Sequence, residues 1–174
     1  MTHGRKVAVA MLGAAPAFVI VYLAWRYAQV LSPHVSSPAD DVASRLAFTV
    51  RWLLLPGLTL LAGIHGAARR GFFPDAIEGT RTPLSQSLEI NLRYNTNTVE
   101  QVVVATIAWL GLAVTLPIDQ LIMIPVAAIL FAIGRIAFWV GYLFHPLARA
   151  FGMTLTAVPT LVAYLWLVWQ FVSR

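Results

Sequence analysis

The sequence predicts an all-α integral membrane protein, a bundle of apolar helices. Of its 174 residues, 59% are hydrophobic and only 11% are charged, against about 25% charged in ordinary soluble domains. Mean hydropathy is +0.77. The apolar residues also fall into five runs, each long enough to cross a ~30 Å hydrocarbon core at ~1.5 Å per helical residue. Six Trp and five Tyr suit the two membrane–water interfaces. With no Cys in the chain, disulfides, thiolate nucleophiles and Cys-ligated metals are excluded. The net charge of +5 comes from cations that flank apolar runs. That pattern reads as membrane topology, not nucleic-acid binding.

Val7 to Trp25 carries no charge and predicts a first transmembrane helix. The preceding "GRK" admits a signal peptide, but the run is long for one, and no cleavage site precedes the "SPHVSSPADD" loop. A second span is expected from Ala47 to Ala68, with Arg51 near its start, either snorkelling or paired within the bundle. A third runs from Asn95 to Leu116, and "LPIDQ" then makes a tight turn. A fourth runs from Gln120 to Phe144, and a fifth from Met153 to Val172. Pro16, Pro56, Pro125 and Pro159 lie inside these spans. Proline is tolerated there because neighbouring helices re-satisfy the freed carbonyls. No internal repeat supports an inverted-repeat transporter.

Five spans put the two ends on opposite sides. One side holds Arg5, Lys6, Arg69, Arg70, Arg81, Arg93 and Arg149; the other holds Arg26, Arg45 and Arg174 with Asp40, Asp41 and Asp119. The more basic side is expected to be cytoplasmic. That places the N-terminus, the 69–91 loop and "FHPLARAFG" there.

Glu89, Arg93, Asn97 and Glu100 recur at i, i+4, i+8 and i+11 and share one helical face. A charge at the bilayer centre costs roughly 2.5–3.5 kcal/mol, so this face should meet protein. On the fourth span Arg135, Phe138 and Tyr142 form a second stripe at i, i+3 and i+7, with Arg149 at i+14 beyond Pro146. The short turn makes the two helices antiparallel neighbours. One reading is structural: Glu100 and Arg135 neutralise each other, while Arg93, Arg149 and Tyr142 anchor at the interface. The other is a site for an anion entering from the cytoplasm, because more polar groups converge than one pair needs. Elsewhere the signals are weaker. His65 and His145 read as helix-end and interfacial residues, and no histidine pair has metal-ligand spacing. Ser85 and Ser87 read as loop residues without an organised base. No phosphate-cradling glycine loop is present.

Three motifs carry a family resemblance: "ARRGFF" (Ala68 to Phe73), the E-x-x-x-R-x-x-x-N-x-x-E pattern (Glu89 to Glu100), and "GRIAFWVGYLFHPLAR" (Gly134 to Arg149). The chain resembles the MAPEG family, membrane-associated proteins in eicosanoid and glutathione metabolism, as a bacterial-type member. The resemblance covers about Ala47 to Val172. It implies a four-helix transmembrane domain at 47–174, a homotrimer, and an additional N-terminal helix and loop at 1–46. It further implies an inner-membrane location and glutathione held as co-substrate between subunits near the cytoplasmic face. Arg93, Asn97, Glu100, Arg135 and Tyr142 would form the site, with Arg69 or Arg70 supplied by the neighbouring subunit. Arg149, seven residues beyond Tyr142, would stabilise the glutathione thiolate.

These roles suit the chemistry. Glutathione carries two carboxylates and one ammonium; arginines match the former bidentately, and Glu100 matches the latter. Lowering a thiol of pKa ~8.5 by two units takes roughly 2.7 kcal/mol, which a guanidinium in a poorly hydrated site can supply. The implied activity is transferase or peroxidase chemistry on a lipophilic electrophile. Phe138 and Gln101 stand where a conjugating family member has tyrosines. Non-catalytic, lipid-binding members also exist, so a lipid-binding or scaffold role is the alternative.

Overall fold

The structure, a computed structural model, describes residues 2–74, 76–78 and 85–173. Six α-helices follow in order: α1 (His3–Arg26), α2 (Val42–Trp52), α3 (Leu54–Ala68), α4 (Gln86–Thr115), α5 (Met123–Phe144) and α6 (Arg149–Val172). Short 3₁₀ turns cover Ala28–His34, Arg69–Phe72 and Ile118–Gln120. Five segments are long and apolar enough to cross a membrane, with α2 and α3 together making one of them. The sequence expectation of a helical membrane bundle holds. Arg81 and Arg174, used above for topology, lie outside the described residues.

Each boundary has a local cause. Asp41 caps α2 by accepting a hydrogen bond from the Ser44 N–H at 2.9 Å. The second span is broken at Leu53 because Pro56 has no N–H for the Trp52 carbonyl, and its ring crowds that carbonyl. The ladder resumes when the Gly57 N–H donates to the Leu53 carbonyl. Ser85, read above as a loop residue, is the N-cap of α4, while Ser87 lies within its first turn. The helix therefore starts nine residues before the expected span, carrying its polar face out of the apolar layer. α5 ends where His145 is extended (φ −159°, ψ 136°), as a residue preceding proline prefers.

The α4–α5 connection is short, as "LPIDQ" predicts, and leaves the carbonyls at the end of α4 without intrahelical partners. Arg45 satisfies them. Its Nη1 donates to the Ala113 and Leu116 carbonyls at 3.0 and 2.9 Å, and its Nη2 and Nε both reach the Asp40 carboxylate, at 2.8 and 3.0 Å. This ties the start of α2 to the end of α4. The core behind that tie contains Trp109, Phe131, Ala105, Ala108 and Ile124, with the Trp109 and Phe131 rings edge-to-face at 6.0 Å. α1 lies outside it, burying Ala14, Ala17 and Val21; Ala17 and Val21 join a cluster with Ile122 just before α5, Val126 and Leu130 of α5, and Leu155 of α6.

Glycines set the closest approach in the bundle. A Cβ on Gly152 of α6 would overlap the Phe138 amide nitrogen and the Gly134 carbonyl of α5; one on Gly134 would meet the Gly152 carbonyl at 2.9 Å. Small residues let membrane helices pack backbone to backbone, and here they bring the start of α6 against the end of α5.

Candidate functional site at the α4–α5–α6 junction

The polar face of α4 and the stripe of α5 meet where their periodicity predicts. The Arg93 Nη1 donates to the Tyr142 hydroxyl at 3.1 Å, and its Nη2 pairs with Glu89 one turn earlier. Deeper, the Arg135 Nη1 donates to the Asn97 Oδ1 at 3.0 Å, and the Asn97 Nδ2 donates to the Glu100 carboxylate at 3.3 Å. Arg135 and Glu100 are thus coupled through an amide. Among the described residues, the only ion pairs within 4.0 Å are Arg45–Asp40 and Arg93–Glu89. Direct mutual neutralisation of Glu100 and Arg135 is not what the helices build.

Arg135 is fully buried. Its guanidinium lies 4.2 Å from the Phe138 ring centroid and 5.1 Å from that of Tyr94. Cation–π attraction strengthens when the cation is desolvated. The Nε and Nη2 atoms of Arg135 have no hydrogen-bond partner among the described residues. Asn97 and two aromatic faces therefore hold this cation in place.

Arg149 arrives by a different route from the one its spacing suggests. It is not a fourth member of the α5 stripe, because α5 has ended at Phe144 and Arg149 opens α6. The chain reverses through His145–Ala148, and the Arg149 guanidinium lies 4.7 Å from the Tyr142 ring centroid. Gly141 makes the reversal possible: a Cβ there would stand 2.8 Å from the Ala148 carbonyl oxygen and 3.2 Å from the Arg149 nitrogen. Arg93, Asn97, Phe138, Tyr142, Arg149 and Met153 line a cavity of about 200 Å³. Tyr142 is its buried floor; Arg93 and Arg149 are exposed on either side.

Arg69 and Arg70 are not gathered into this cavity. They are exposed on the turn after α3, and Arg69 borders a separate open groove with His65, Asn91 and Trp139. Glu100 is also exposed, although it sits well inside a membrane-crossing segment.

The sequence reading passed over a second face of α4. The Asn91 side chain accepts from the Trp139 Nε1–H at 2.9 Å and donates to the Gly66 carbonyl at 3.3 Å. The Tyr94 ring stacks on Trp139 at 4.7 Å, and its hydroxyl donates to the Thr59 carbonyl at 3.0 Å. Together they clamp α3 to α4 and α5. Thr98, one turn on, is buried and bonds back to the Tyr94 carbonyl. Asn91, Tyr94 and Thr98 recur at i, i+3 and i+7, so the signal was periodic but masked by the more strongly charged face beside it.

A model of the MAPEG family matches residues 8–169. The chain belongs to the MAPEG family. The match includes most of α1 as well as the four spans that follow it. No curated protein and no solved structure matches the chain. MAPEG membership makes it a helical membrane protein of a group that comprises glutathione-related transferases and isomerases together with non-catalytic members. The E-x-x-x-R-x-x-x-N-x-x-E and G-R…R motifs of this MAPEG chain are the segments that meet around Tyr142.

Proposed function

We propose that this MAPEG protein is a glutathione-dependent transferase or peroxidase acting on lipophilic electrophiles, assembled as a homotrimer, with Arg149 stabilising the thiolate. The observation that carries this reading is the pair of guanidiniums, Arg93 and Arg149, facing one small cavity across Tyr142. Two exposed cations beside a buried aromatic floor suit a net anion with two carboxylates and an ionising thiol. Asn97 and Glu100 supply acceptors for an ammonium, and buried Arg135 sets the direction of the Asn97 amide.

Size favours assembly. A cavity of about 200 Å³ exceeds the ~150 Å³ that takes a benzene by too little to enclose a tripeptide. The rest of the ligand would lie along the exposed Arg93–Glu100 face. A carboxylate such as Glu100 is costly to leave against lipid, so a second copy covering that face completes the site. Arg69 or Arg70 from that copy would then add a cation. In the reaction the glutathione thiol loses its proton to solvent, sulfur bonds to the electrophilic carbon, and the leaving group departs with its electron pair. With the N-terminus cytoplasmic, as the charge asymmetry favours, the thiol arrives from the cell interior and the electrophile from the bilayer.

The test is calorimetric titration of glutathione into the purified protein, followed by conjugation of 1-chloro-2,4-dinitrobenzene. Binding that is lost in Arg93→Ala, and turnover lost in Arg149→Ala with binding retained, are the expected results. Absence of glutathione binding to the intact protein would overturn the reading. One observation favours a non-catalytic alternative. Phe138, which stands where a conjugating family member has a tyrosine, lines the cavity with its ring 4.2 Å from the Arg135 guanidinium and brings no hydroxyl to a thiolate. Tight lipid binding without turnover is the outcome that alternative requires.

A further inference from the structure

The open groove beside Trp139 runs between α3 and α5, with Asn91 of α4 as its floor. Its volume is about 730 Å³, within the ~300–1,000 Å³ of small-molecule sites. Leu58, Leu61 and Ala62 form one wall, and Trp139 stands opposite. Arg69, Ser87 and His65 border the end nearer the membrane surface. From Leu58 to Arg69 the chain advances about 16 Å at ~1.5 Å per residue, and one leaflet of a ~30 Å hydrocarbon core is about 15 Å deep. The groove is therefore as long as one leaflet, apolar at the inner end and cationic at the outer.

Two features set this groove apart from ordinary lipid contact. Interfacial tryptophans sit with their polar edge at headgroup level, but the Trp139 Nε1–H donates inward to Asn91 at 2.9 Å. Its ring also stacks on Tyr94 at 4.7 Å, so it is a fixed wall. Asn91 gives its own N–H to the Gly66 carbonyl and asks nothing of a guest. Headgroup contacts fall to Arg69, His65 and Ser87, all three exposed. The second feature is charge. The lining holds a guanidinium and no carboxylate. Arg70 follows Arg69 on a 3₁₀ turn, about 120° round at three residues per turn, and does not border the groove.

We propose that this groove binds one anionic phospholipid, with the phosphate on Arg69 and an acyl chain laid along Leu58, Leu61 and Ala62 against Trp139. Basic pockets between membrane helices hold anionic headgroups in this way. Ser87 and His65 stand beside the phosphate as hydrogen-bond donors. A zwitterionic headgroup would bring an ammonium for which no lining residue offers a carboxylate. The lipid comes from the leaflet on the Arg93 and Arg149 side, where α3 ends. This groove shares no lining residue with the Arg93–Arg149 cavity, and the proposal stands whether or not the protein uses glutathione.

The test titrates dioleoyl phosphatidylglycerol or dioleoyl phosphatidylcholine into the full chain in a neutral detergent and counts retained lipid by native mass spectrometry. Phosphatidylglycerol is expected to be retained at lower concentration than phosphatidylcholine. Arg69→Gln should weaken its retention about fivefold, the scale for one interfacial cation. Arg70→Gln removes the same charge from the same turn and should change retention less than about twofold on that scale. Ala62→Phe fills the groove from an exposed position and should abolish retention, with melting in plain detergent confirming an intact fold. Arg149→Ala, added glutathione and added inorganic phosphate should leave retention unchanged. Equal retention of the two lipids, or equal loss in Arg69→Gln and Arg70→Gln, would overturn the proposal in favour of general surface charge. Displacement by inorganic phosphate would replace the lipid with a free anion, and loss in Arg149→Ala would move the lipid to the other cavity; either result overturns it.

Discussion

The Arg149 guanidinium lies 4.7 Å over the Tyr142 ring, although α5 ends and the chain reverses between them. Their seven-residue separation looks like two turns of one helix. It is instead a contact across a reversal, made possible by glycines on both sides. Tyr142 also accepts from Arg93 on α4, so one phenol links three helices.

The reversal should be sensitive to a single methyl group. At Gly152 an added Cβ would strike the Phe138 and Gly134 backbones, which have no freedom to withdraw. Gly152→Ala is expected to destabilise the bundle by about 1–3 kcal/mol or more, as overpacking does. Gly141→Ala meets the Ala148 carbonyl and should shift Arg149 more than it unfolds the protein. Thermal unfolding in detergent alongside conjugation rates separates the two: Gly152→Ala loses both, while Gly141→Ala loses mainly rate.

If Arg149 holds the thiolate, removing it raises the apparent thiol pKa toward its ordinary ~8.5. A two-unit shift corresponds to roughly 2.7 kcal/mol; at pH 7 it lowers the thiolate fraction from about three-quarters to about 3%, or roughly 25-fold in rate. Arg149→Ala should therefore show a pH–rate profile displaced to higher pH, with glutathione affinity reduced far less. Arg149→Lys should recover part of the rate. A profile unchanged in position would assign thiol activation to another group.

Asn97 is the sole hydrogen-bond acceptor for Arg135 among the described residues. Asn97→Leu leaves a buried guanidinium held by ring faces alone. The expected loss is about 1–3 kcal/mol, the penalty for stranding a buried polar group. Asn97→Asp retains an acceptor and should keep the melting temperature near that of the parent. It adds a negative charge where an anionic ligand is proposed, so glutathione binding should fall. Melting curves and titration calorimetry on the two variants distinguish support of the fold from support of the ligand.

Outside the membrane-crossing segments, Asp41 is held below the ordinary carboxylate range by its hydrogen bonds to Ser44. A depressed folded-state pKa means the cap stabilises α2 fully above the unfolded value of ~3.9 and loses that contribution as pH falls through the folded value. Melting temperature should drop between about pH 4 and lower pH in the parent. Asp41→Asn caps without titrating and should flatten that part of the curve. An unchanged slope would place the acid sensitivity elsewhere.

Much of the architecture was legible before any coordinates. The number of membrane spans, the α4–α5 hairpin, and the convergence of Arg93, Asn97, Arg135 and Tyr142 follow from apolar run length and 3.6-residue periodicity; the break that splits the second span into α2 and α3 was not foreseen. Both are local properties of a helix in lipid, where the backbone must satisfy itself. The extent of α4 beyond the apolar run was not legible, because its first turns rest on a Ser85 cap and on contacts with α3. Nor was the Asn91–Tyr94–Trp139 clamp, since neutral polar residues give a weaker periodic signal than charged ones.

The sequence by itself determined that this chain spans a membrane as helices, belongs with the MAPEG proteins, and carries one cationic polar face on α4. Only the tertiary structure decided the rest. Asn97 stands between Arg135 and Glu100, Arg149 reaches Tyr142 across a reversal, and α1 packs on α5 and α6 through Ala17 and Val21. Periodicity fixes which residues share a face of one helix. It does not fix how closely two helices approach or where a chain turns. Those are set by glycine contacts and backbone hydrogen bonding between segments distant in sequence.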